Sequence, residues 1–337
     1  MKKYFFMALA ALATLTACQQ SESEIYVEDG SIKFVNLATR TAVTTAVSLQ
    51  GGFKVLGYAG TTNIFSNEVA DYHDADVDFW QTTAKEYWAD NTTYNFFAVY
   101  PSSHTLTGGN NQASASVSYE NTGLEDLVLA GRQVVTTTGD NGTGRGAAQL
   151  VFKHALSRVR FEFTNAYTTE TDVKVDITNL QLVNVAKTGT VVITSTNNAE
   201  NATNSTSVIT WSEIEETGTL DINYMQNNEN PYVFSNTGIT KDNTAKTDYK
   251  YVIPQSNQQY NLIGTIRVYD SSATIRTWEF TEASPLTIKL TADNDKLTHI
   301  AGESYVYKMN ITSDLSEITF TVAVEEWAGD TEHTVIF

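Results

Sequence analysis

Arg158-Val159-Arg160-Phe161-Glu162-Phe163 alternates charged and apolar side chains without a break. In an extended chain successive side chains point to opposite faces. Val159, Phe161 and Phe163 therefore share one face, and Arg158, Arg160 and Glu162 share the other. The stretch reads as a β-strand with one buried side. The same reading recurs along the chain. Val173, Val175 and Ile177 alternate with Lys174, Asp176 and Thr178, and Phe53, Val55 and Gly57 share a face. Asn95 to Tyr100 is a dense apolar strand stopped by Pro101, which has no N–H to donate to a ladder. Later come Ile266 with Val268, Trp278 with Phe280, and Leu286, Ile288 and Leu290. The chain continues with Tyr305, Tyr307, Met309 and Ile311, then Ile318, Phe320, Val322 and Val324. No stretch of helical period is long enough to compete. Many short strands with one apolar face each predict an all-β protein built of sandwiches, not a parallel sheet with crossover helices.

Composition agrees. The 337 residues suffice for two domains of about 150 residues each. Hydrophobic residues make up 41% of the chain, enough for a large core, whereas charged residues reach only 18%, below the roughly 25% usual in soluble domains. Thr and Asn fill the difference, which suits strands joined by polar turns. A net charge of -18 argues against nucleic acid as a partner, because phosphate binding needs clustered Lys and Arg. The single cysteine, Cys18, excludes an intrachain disulfide and a cysteine-based zinc site.

The start of the chain reads as an export signal. Met1-Lys2-Lys3 is a positive n-region, and the apolar run from Tyr4 to Ala17 is shorter than the roughly 20 residues that span a bilayer. Leu15-Thr16-Ala17-Cys18 then resembles a bacterial lipobox, with Cys18 as the acylated residue. The polar Gln19-Gln20-Ser21-Glu22-Ser23-Glu24 follows as a tether. Acyl chains on Cys18 contribute about 0.8 kcal/mol per buried methylene to an outer-membrane anchor.

Beyond the tether, Ser31-Ile32-Lys33-Phe34-Val35-Asn36-Leu37 reads as one short strand whose apolar residues are Ile32, Phe34 and Leu37. Arg40, in Leu37-Ala38-Thr39-Arg40-Thr41-Ala42, offers a trypsin-like protease a site before Thr41. The expectation is that this strand is removable. Its loss would leave an apolar groove and unpaired backbone groups, which capture an extended segment of another subunit by strand addition. The alternative is a strand that stays in place beside an ordinary surface arginine.

Other motifs carry less. Gly139 to Gly146 is a Gly-rich connector that lacks the strand-then-helix setting of a phosphate loop. Long polar loops are expected over Thr194–Ser207, Met225–Asn230 and Asn236–Thr247. Trp80, Tyr87 and Trp88 read as core beside the Phe96-Phe97 strand, with a sugar-stacking platform as the alternative. No catalytic or metal constellation is visible. His73, His104, His154, His299 and His333 are scattered, and His154 reads as structural. The Asp71–Asp78 run resembles the start of a calcium loop, but Phe79 stands where glycine belongs, so a solvated acidic loop is the expected reading. Glu213, Glu215 and Glu216 read as a polar loop. No Gly-x-Ser-x-Gly elbow offers a nucleophile. Neither a cofactor nor enzyme activity is expected.

Taken together, the lipobox at Cys18, Ala38-Thr39-Arg40-Thr41, Tyr87-Trp88 before Tyr94-Asn95-Phe96-Phe97-Ala98-Val99-Tyr100-Pro101, and Leu150-Val151-Phe152-Lys153-His154-Ala155-Leu156-Ser157-Arg158-Val159 form an ordered series. It closes with Ala301-Gly302-Glu303-Ser304-Tyr305-Val306-Tyr307 and Val324-Glu325-Glu326-Trp327. The series resembles the fimbrillins of Bacteroidetes, the lipoprotein-derived pilins of the FimA and Mfa type. The resemblance implies two tandem transthyretin-like β-sandwich domains after a lipoprotein signal peptide. Residues 1–17 would be the signal peptide, 18–30 the lipidated tether, 31–149 the first domain and 150–337 the second. It also implies lipidation at Cys18, cleavage after Arg40 and assembly by donor-strand exchange. The implied setting is the outer membrane and the fimbrium, with other fimbrillin subunits, host or bacterial surface ligands and membrane lipid as partners. Shaft-forming members carry a C-terminal donor extension, and only Ala328 to Phe337 follows Trp327 here. The expectation is therefore a tip or accessory subunit. The alternative is a monomeric surface lipoprotein that binds glycan or host protein through long loops of its second half.

Overall fold

The structure is a computed structural model that describes residues 30–36, 49, 51–73, 79–108, 113–135, 146–167, 172–195, 207–222, 224–226, 230–232, 238–256, 260–288, 298–312 and 320–326. All 22 regular elements among these residues are strands. In chain order they are β1 (Phe34–Asn36), β2 (Phe53–Ala59), β3 (Thr62–His73), β4 (Phe79–Thr82), β5 (Thr93–Tyr100), β6 (Ser114–Glu120), β7 (Val128–Val135), β8 (Ala148–Leu150), β9 (Lys153–His154), β10 (Ser157–Asn165) and β11 (Lys174–Thr194). There follow β12 (Val208–Asp221), β13 (Tyr224–Gln226), β14 (Asn230–Tyr232), β15 (Ile239–Thr240), β16 (Thr244–Thr247), β17 (Lys250–Val252), β18 (Asn261–Tyr269), β19 (Thr274–Phe280), β20 (Leu286–Thr287), β21 (Glu303–Ile311) and β22 (Phe320–Glu326).

The first sheet has the order β8-β1-β4-β3-β2-β5-β7-β9. Its two end strands, β8 and β9, are separated in sequence only by Val151 and Phe152. Two residues span at most about 10 Å of chain, so both ends of the sheet must meet at one corner. The sheet therefore curls around a core of its own, which contains Phe34, Phe53, Phe65, Trp80, Phe96 and Phe152. The outer face of the same sheet is also covered. Leu56 and Tyr58 of β2, Phe97 and Val99 of β5, and Leu129 of β7 pack with Val117 of β6 and with Val191 and Ile193 of β11. Burial on both faces is why Asn95–Tyr100 reads as an unbroken apolar run.

The quoted alternation of Arg158–Phe163 lies on β10 as expected. Val159, Phe161 and Phe163 are fully buried. They pack with Val175 and Ile177 of β11, Ile266 and Val268 of β18, and Tyr305, Tyr307 and Met309 of β21. Three apolar side chains on one face let β10 sit mid-sheet, parallel to β21 on one edge and antiparallel to β16 and β17 on the other. On its opposite face the Glu162 carboxylate gathers Arg160 at 3.0 Å, Lys246 at 3.3 Å and Lys308 at 3.9 Å. Both Arg158 and Arg160 also lie over the Tyr249 ring, at 4.1 and 4.8 Å.

β11 joins the cores. Its start, from Lys174 to Thr178, pairs with β18, and its end, from Thr188 to Thr194, pairs with β6. Along most of its length it also pairs with β12, with register shifts between Val183 and Val185 and between Thr188 and Thr190. Such bulges bend and twist a ribbon, so one long hairpin covers two differently oriented cores. A division of the chain at residue 150 leaves this ribbon crossing between the halves.

Some expected loops are strands. Asn236–Thr247 contains β15 and β16, the ends of Met225–Asn230 belong to β13 and β14, and Glu213, Glu215 and Glu216 lie on β12. Most of the middle of β12 is exposed. Ile209, Trp211 and Ile214 still pack on a core from one face, but a register shift opposite Ser212–Glu215, with Glu213 at a positive φ of 50°, breaks the alternation, so period-two reading passes over the strand.

Candidate functional site

The site is the slot filled by residues 30–36. On one side Ile32 N–H donates to the Glu86 carbonyl at 2.8 Å, Trp88 N–H donates to the Gly30 carbonyl at 3.2 Å, and Phe34 lies opposite Trp80 of β4. On the other side β1 runs parallel to β8, with Phe34, Val35 and Asn36 opposite Ala148, Gln149 and Leu150. There Ala148 N–H donates to the Lys33 carbonyl at 2.7 Å. The segment is thus hydrogen-bonded along both edges. Its neighbours β4 and β8 are far from it and from each other in sequence, so no local turn chemistry holds it. Among the described strands, β8 has no neighbour in its sheet other than β1.

Side chains follow the pleat. Ile32 and Phe34 point inward and are fully buried, and Lys33 points outward with its ammonium 4.9 Å from the Phe79 ring centroid. The Phe34 ring meets Phe96 at 5.4 Å, Phe65 at 5.9 Å and Phe53 at 6.3 Å, all edge-to-face. This geometry sets the positive ring edge against the negative ring face. Burial of the Ile32 and Phe34 side chains contributes roughly 1.5–3 kcal/mol each before ordering costs. Each backbone bond adds about 1 kcal/mol. Next to them Ser31, with no exposed surface, accepts a hydrogen bond from Gln81 Nε2 at 2.8 Å.

The floor of this well depends on Gly57. Phe65 and Phe96 are its partners on the two flanking strands. A Cβ on Gly57 would stand 2.7 Å from Phe65 Cδ2 and 3.2 Å from Phe96 Cδ1. The two rings use the space that a side chain would take. Gly57→Ala is expected to destabilise the chain by about 1–3 kcal/mol through this overpacking, read as a lower urea midpoint. An unchanged midpoint would show that the rings have room to move.

Of the residues singled out from sequence, the structure brings Ile32 and Phe34 together on one wall. Cys18, Leu37, Arg40 and Thr41 lie outside the described residues, as do Asp74–Asp78, Gly139–Arg145 and His333. Of the three aromatics read as core, Trp80 and Trp88 are buried, whereas Tyr87 is 55% exposed. Sequence reasoning missed Gln81, whose identity in a short strand carries no motif. It also missed Phe65, because β3 alternates too weakly to read as a half-buried strand.

Among the described histidines, three are held by neighbouring side chains. His154 Nδ1 lies 2.7 Å from Asp126 and His104 Nε2 lies 2.6 Å from Glu125. His299 is almost wholly buried, shares a hydrogen bond of 2.8 Å with the Tyr307 hydroxyl, and lies edge-on to the Tyr305 ring. Burial alone pushes its pKa down to about 3. Among the described residues, no three His, Cys, Asp or Glu side chains group as a metal site would require.

Residues 39–327 match the family model described as fimbrillin-like, so the match begins just after β1. No curated protein matches. Among solved structures, a fimbrial protein from Bacteroides vulgatus is similar with a TM-score of 0.59 and 18% identity, covering 88% of this chain and 99% of that one. A Bacteroides uniformis protein proposed to act in cell adhesion aligns over 89% of this chain and 100% of its own, with 15% identity and a TM-score of 0.46. The fimbrial anchor protein Mfa2 from Porphyromonas gingivalis aligns over 90% and 99% respectively, with 9% identity and a TM-score of 0.38. The fold comparison rests on the first of these.

Proposed function

Because the chain belongs to the fimbrillin-like family, we propose that it is a structural and adhesive subunit of a cell-surface fimbrium, assembled by donor-strand exchange. The observation that carries this reading is the position of β1. It is a short segment from the start of the chain, inserted between β4 and β8 and hydrogen-bonded to both.

Cleavage after Arg40 cuts the covalent link that holds Ile32, Phe34 and Leu37 in the first sheet. Once that segment leaves, β4 and β8 face each other with unpaired N–H and C=O groups. The well lined by Phe53, Phe65 and Phe96 then lies open to water. An extended segment of a second subunit restores both the ladder and the apolar contacts, and the slot keeps it in register. Before cleavage, β1 fills the slot and keeps the subunit monomeric during export. In this proposal the outer-membrane anchor is the acylated Cys18, and the chain passes from lipid-held precursor to fimbrium when the bond before Thr41 is cut. The tandem sandwiches implied by the family divide near residue 150, with the β11–β12 ribbon spanning both.

We place the subunit at the end of the filament or as an accessory to it. Every described strand pairs within the chain itself, so the described residues offer a slot but no spare strand. Antibody labelling of purified fimbriae tests this, with gold at ends or sparse sites expected and continuous labelling along the shaft counting against it.

The principal experiment is the N-terminus of the surface protein. Assembled material is expected to begin at Thr41, and Arg40→Ala is expected to leave a longer lipidated form that is absent from fimbriae. Finding residues 18–40 intact on assembled subunits would overturn the mechanism.

A further inference from the structure

We infer that Gln81 selects which strand the slot accepts, by requiring a hydrogen-bond acceptor at the position now held by Ser31. This inference rests on the removable-strand reading above.

The apolar wells do not specify a register by themselves. Hydrophobic contact is non-directional, and any strand with alternating apolar residues can slide by two positions and still point apolar groups inward. The Gln81–Ser31 contact differs. Gln81 is only 8% exposed and Ser31 has no exposed surface. The amide Nε2 donates to the Ser31 hydroxyl at 2.8 Å. Ile32 and Phe34 follow directly and fill the apolar wells.

When β1 leaves, water can reach the Gln81 amide. When a new strand arrives, that water is expelled and the N–H again needs an acceptor. A Ser or Thr hydroxyl supplies one. An aliphatic side chain supplies none and leaves a buried donor unmade, which weakens capture by about ten- to a hundred-fold. A strand shifted by two residues meets the same penalty unless a hydroxyl happens to fall there. The slot thus fits a strand that reads hydroxyl, aliphatic, any residue, aromatic, as Ser31-Ile32-Lys33-Phe34 does. Gln81 thereby fixes both register and partner.

The test uses the full chain with a specific protease sequence inserted after Arg40. After cutting, fluorescent peptides of the sequence Gly30–Leu37 are added in excess and uptake is followed by anisotropy. The unchanged peptide and its Ser31→Thr form are expected to enter. The Ser31→Val form is expected to bind at least ten-fold more weakly. In a Gln81→Leu chain the preference should vanish or reverse. Equal entry of the Ser31→Val peptide into the unsubstituted chain would overturn the inference, and this arm stands even if Gln81→Leu folds poorly. A Gln81→Leu chain that keeps the preference would overturn it as well. Exclusion of every peptide, the unchanged one included, would instead overturn the removable strand itself, and this inference with it.

Discussion

Replacing Phe34 with alanine in the full-length chain is expected to lower its stability by about 3–5 kcal/mol, the range for truncating a buried aromatic. The side chain has no exposed surface and sits against three phenylalanine rings at 5.4 to 6.3 Å. Truncation leaves a cavity that three ring-sized neighbours, each packed elsewhere, can only partly fill. The measurement is the urea midpoint of the uncut chain. Lys33→Ala is the control, because Lys33 faces outward and its contact with Phe79 is worth only about 0.5–1 kcal/mol. Hydrogen exchange at the Ala148 amide adds a local reading, since its acceptor is the Lys33 carbonyl. It should speed up in Phe34→Ala before strands remote from the slot do. A loss below about 1 kcal/mol would show that β1 is loosely held, and that a replacement strand has little to gain by taking its place. A large loss means an empty slot is a high-energy state, so cleavage and capture must be closely coupled.

Acid is expected to weaken the second core through His299. Its pKa is near 3 in the folded chain, against an ordinary value of 6.5. The unfolded chain therefore binds a proton between these values that the folded chain refuses. Stability contributed by neutral His299 is complete above about pH 6.5 and falls as the pH drops toward 3. At 1.36 kcal/mol for each unit, the loss is of the order of 5 kcal/mol once both states are protonated. Structure explains the direction. The imidazole is surrounded by the Tyr260, Tyr305 and Tyr307 rings, and the Glu303 carboxylate beside them is engaged by the Tyr305 hydroxyl at 2.8 Å. His299 Nδ1 is itself buried and has no hydrogen-bond partner among the described residues. An imidazolium there would lose its hydration and gain no carboxylate. His299→Gln keeps a polar group but does not titrate. Its urea midpoint should lie below that of the unsubstituted chain at pH 7, and the gap should narrow as the pH approaches 4. A constant gap across that range would exclude His299 as the source. Carboxylates elsewhere also titrate in this window, but they are common to both chains and cancel in the difference.

Fold class was legible because period-two alternation reports one buried face wherever a strand has one. Val159, Phe161 and Phe163 of β10, and Tyr305, Tyr307, Met309 and Ile311 of β21, are buried as that pattern requires. Ile32 and Phe34 were legible for the same reason. Where a bulge interrupts the alternation, as at Glu213 of β12, or the strand is only two to four residues long, as β15 and β16 are, the pattern is lost and the segment reads as a loop. Where both faces are dry the signal is merely apolar, and so β5 showed a strand without showing that two cores claim it.

What tertiary structure alone decided is which strands meet. Local pattern gives each segment a face but no partner, because hydrogen-bonding edges of all strands are chemically alike. Nothing near Ser31 in sequence says that it will face Gln81, or that β1 will lie between β4 and β8. Nothing near Gly57 says that two rings from flanking strands will close over it. Those pairings were settled by the need to bury Phe34, Phe53, Phe65, Phe96 and Phe152 in one volume while the backbone keeps its hydrogen bonds. That joint condition acts on residues more than a hundred positions apart, and it can be satisfied only in three dimensions.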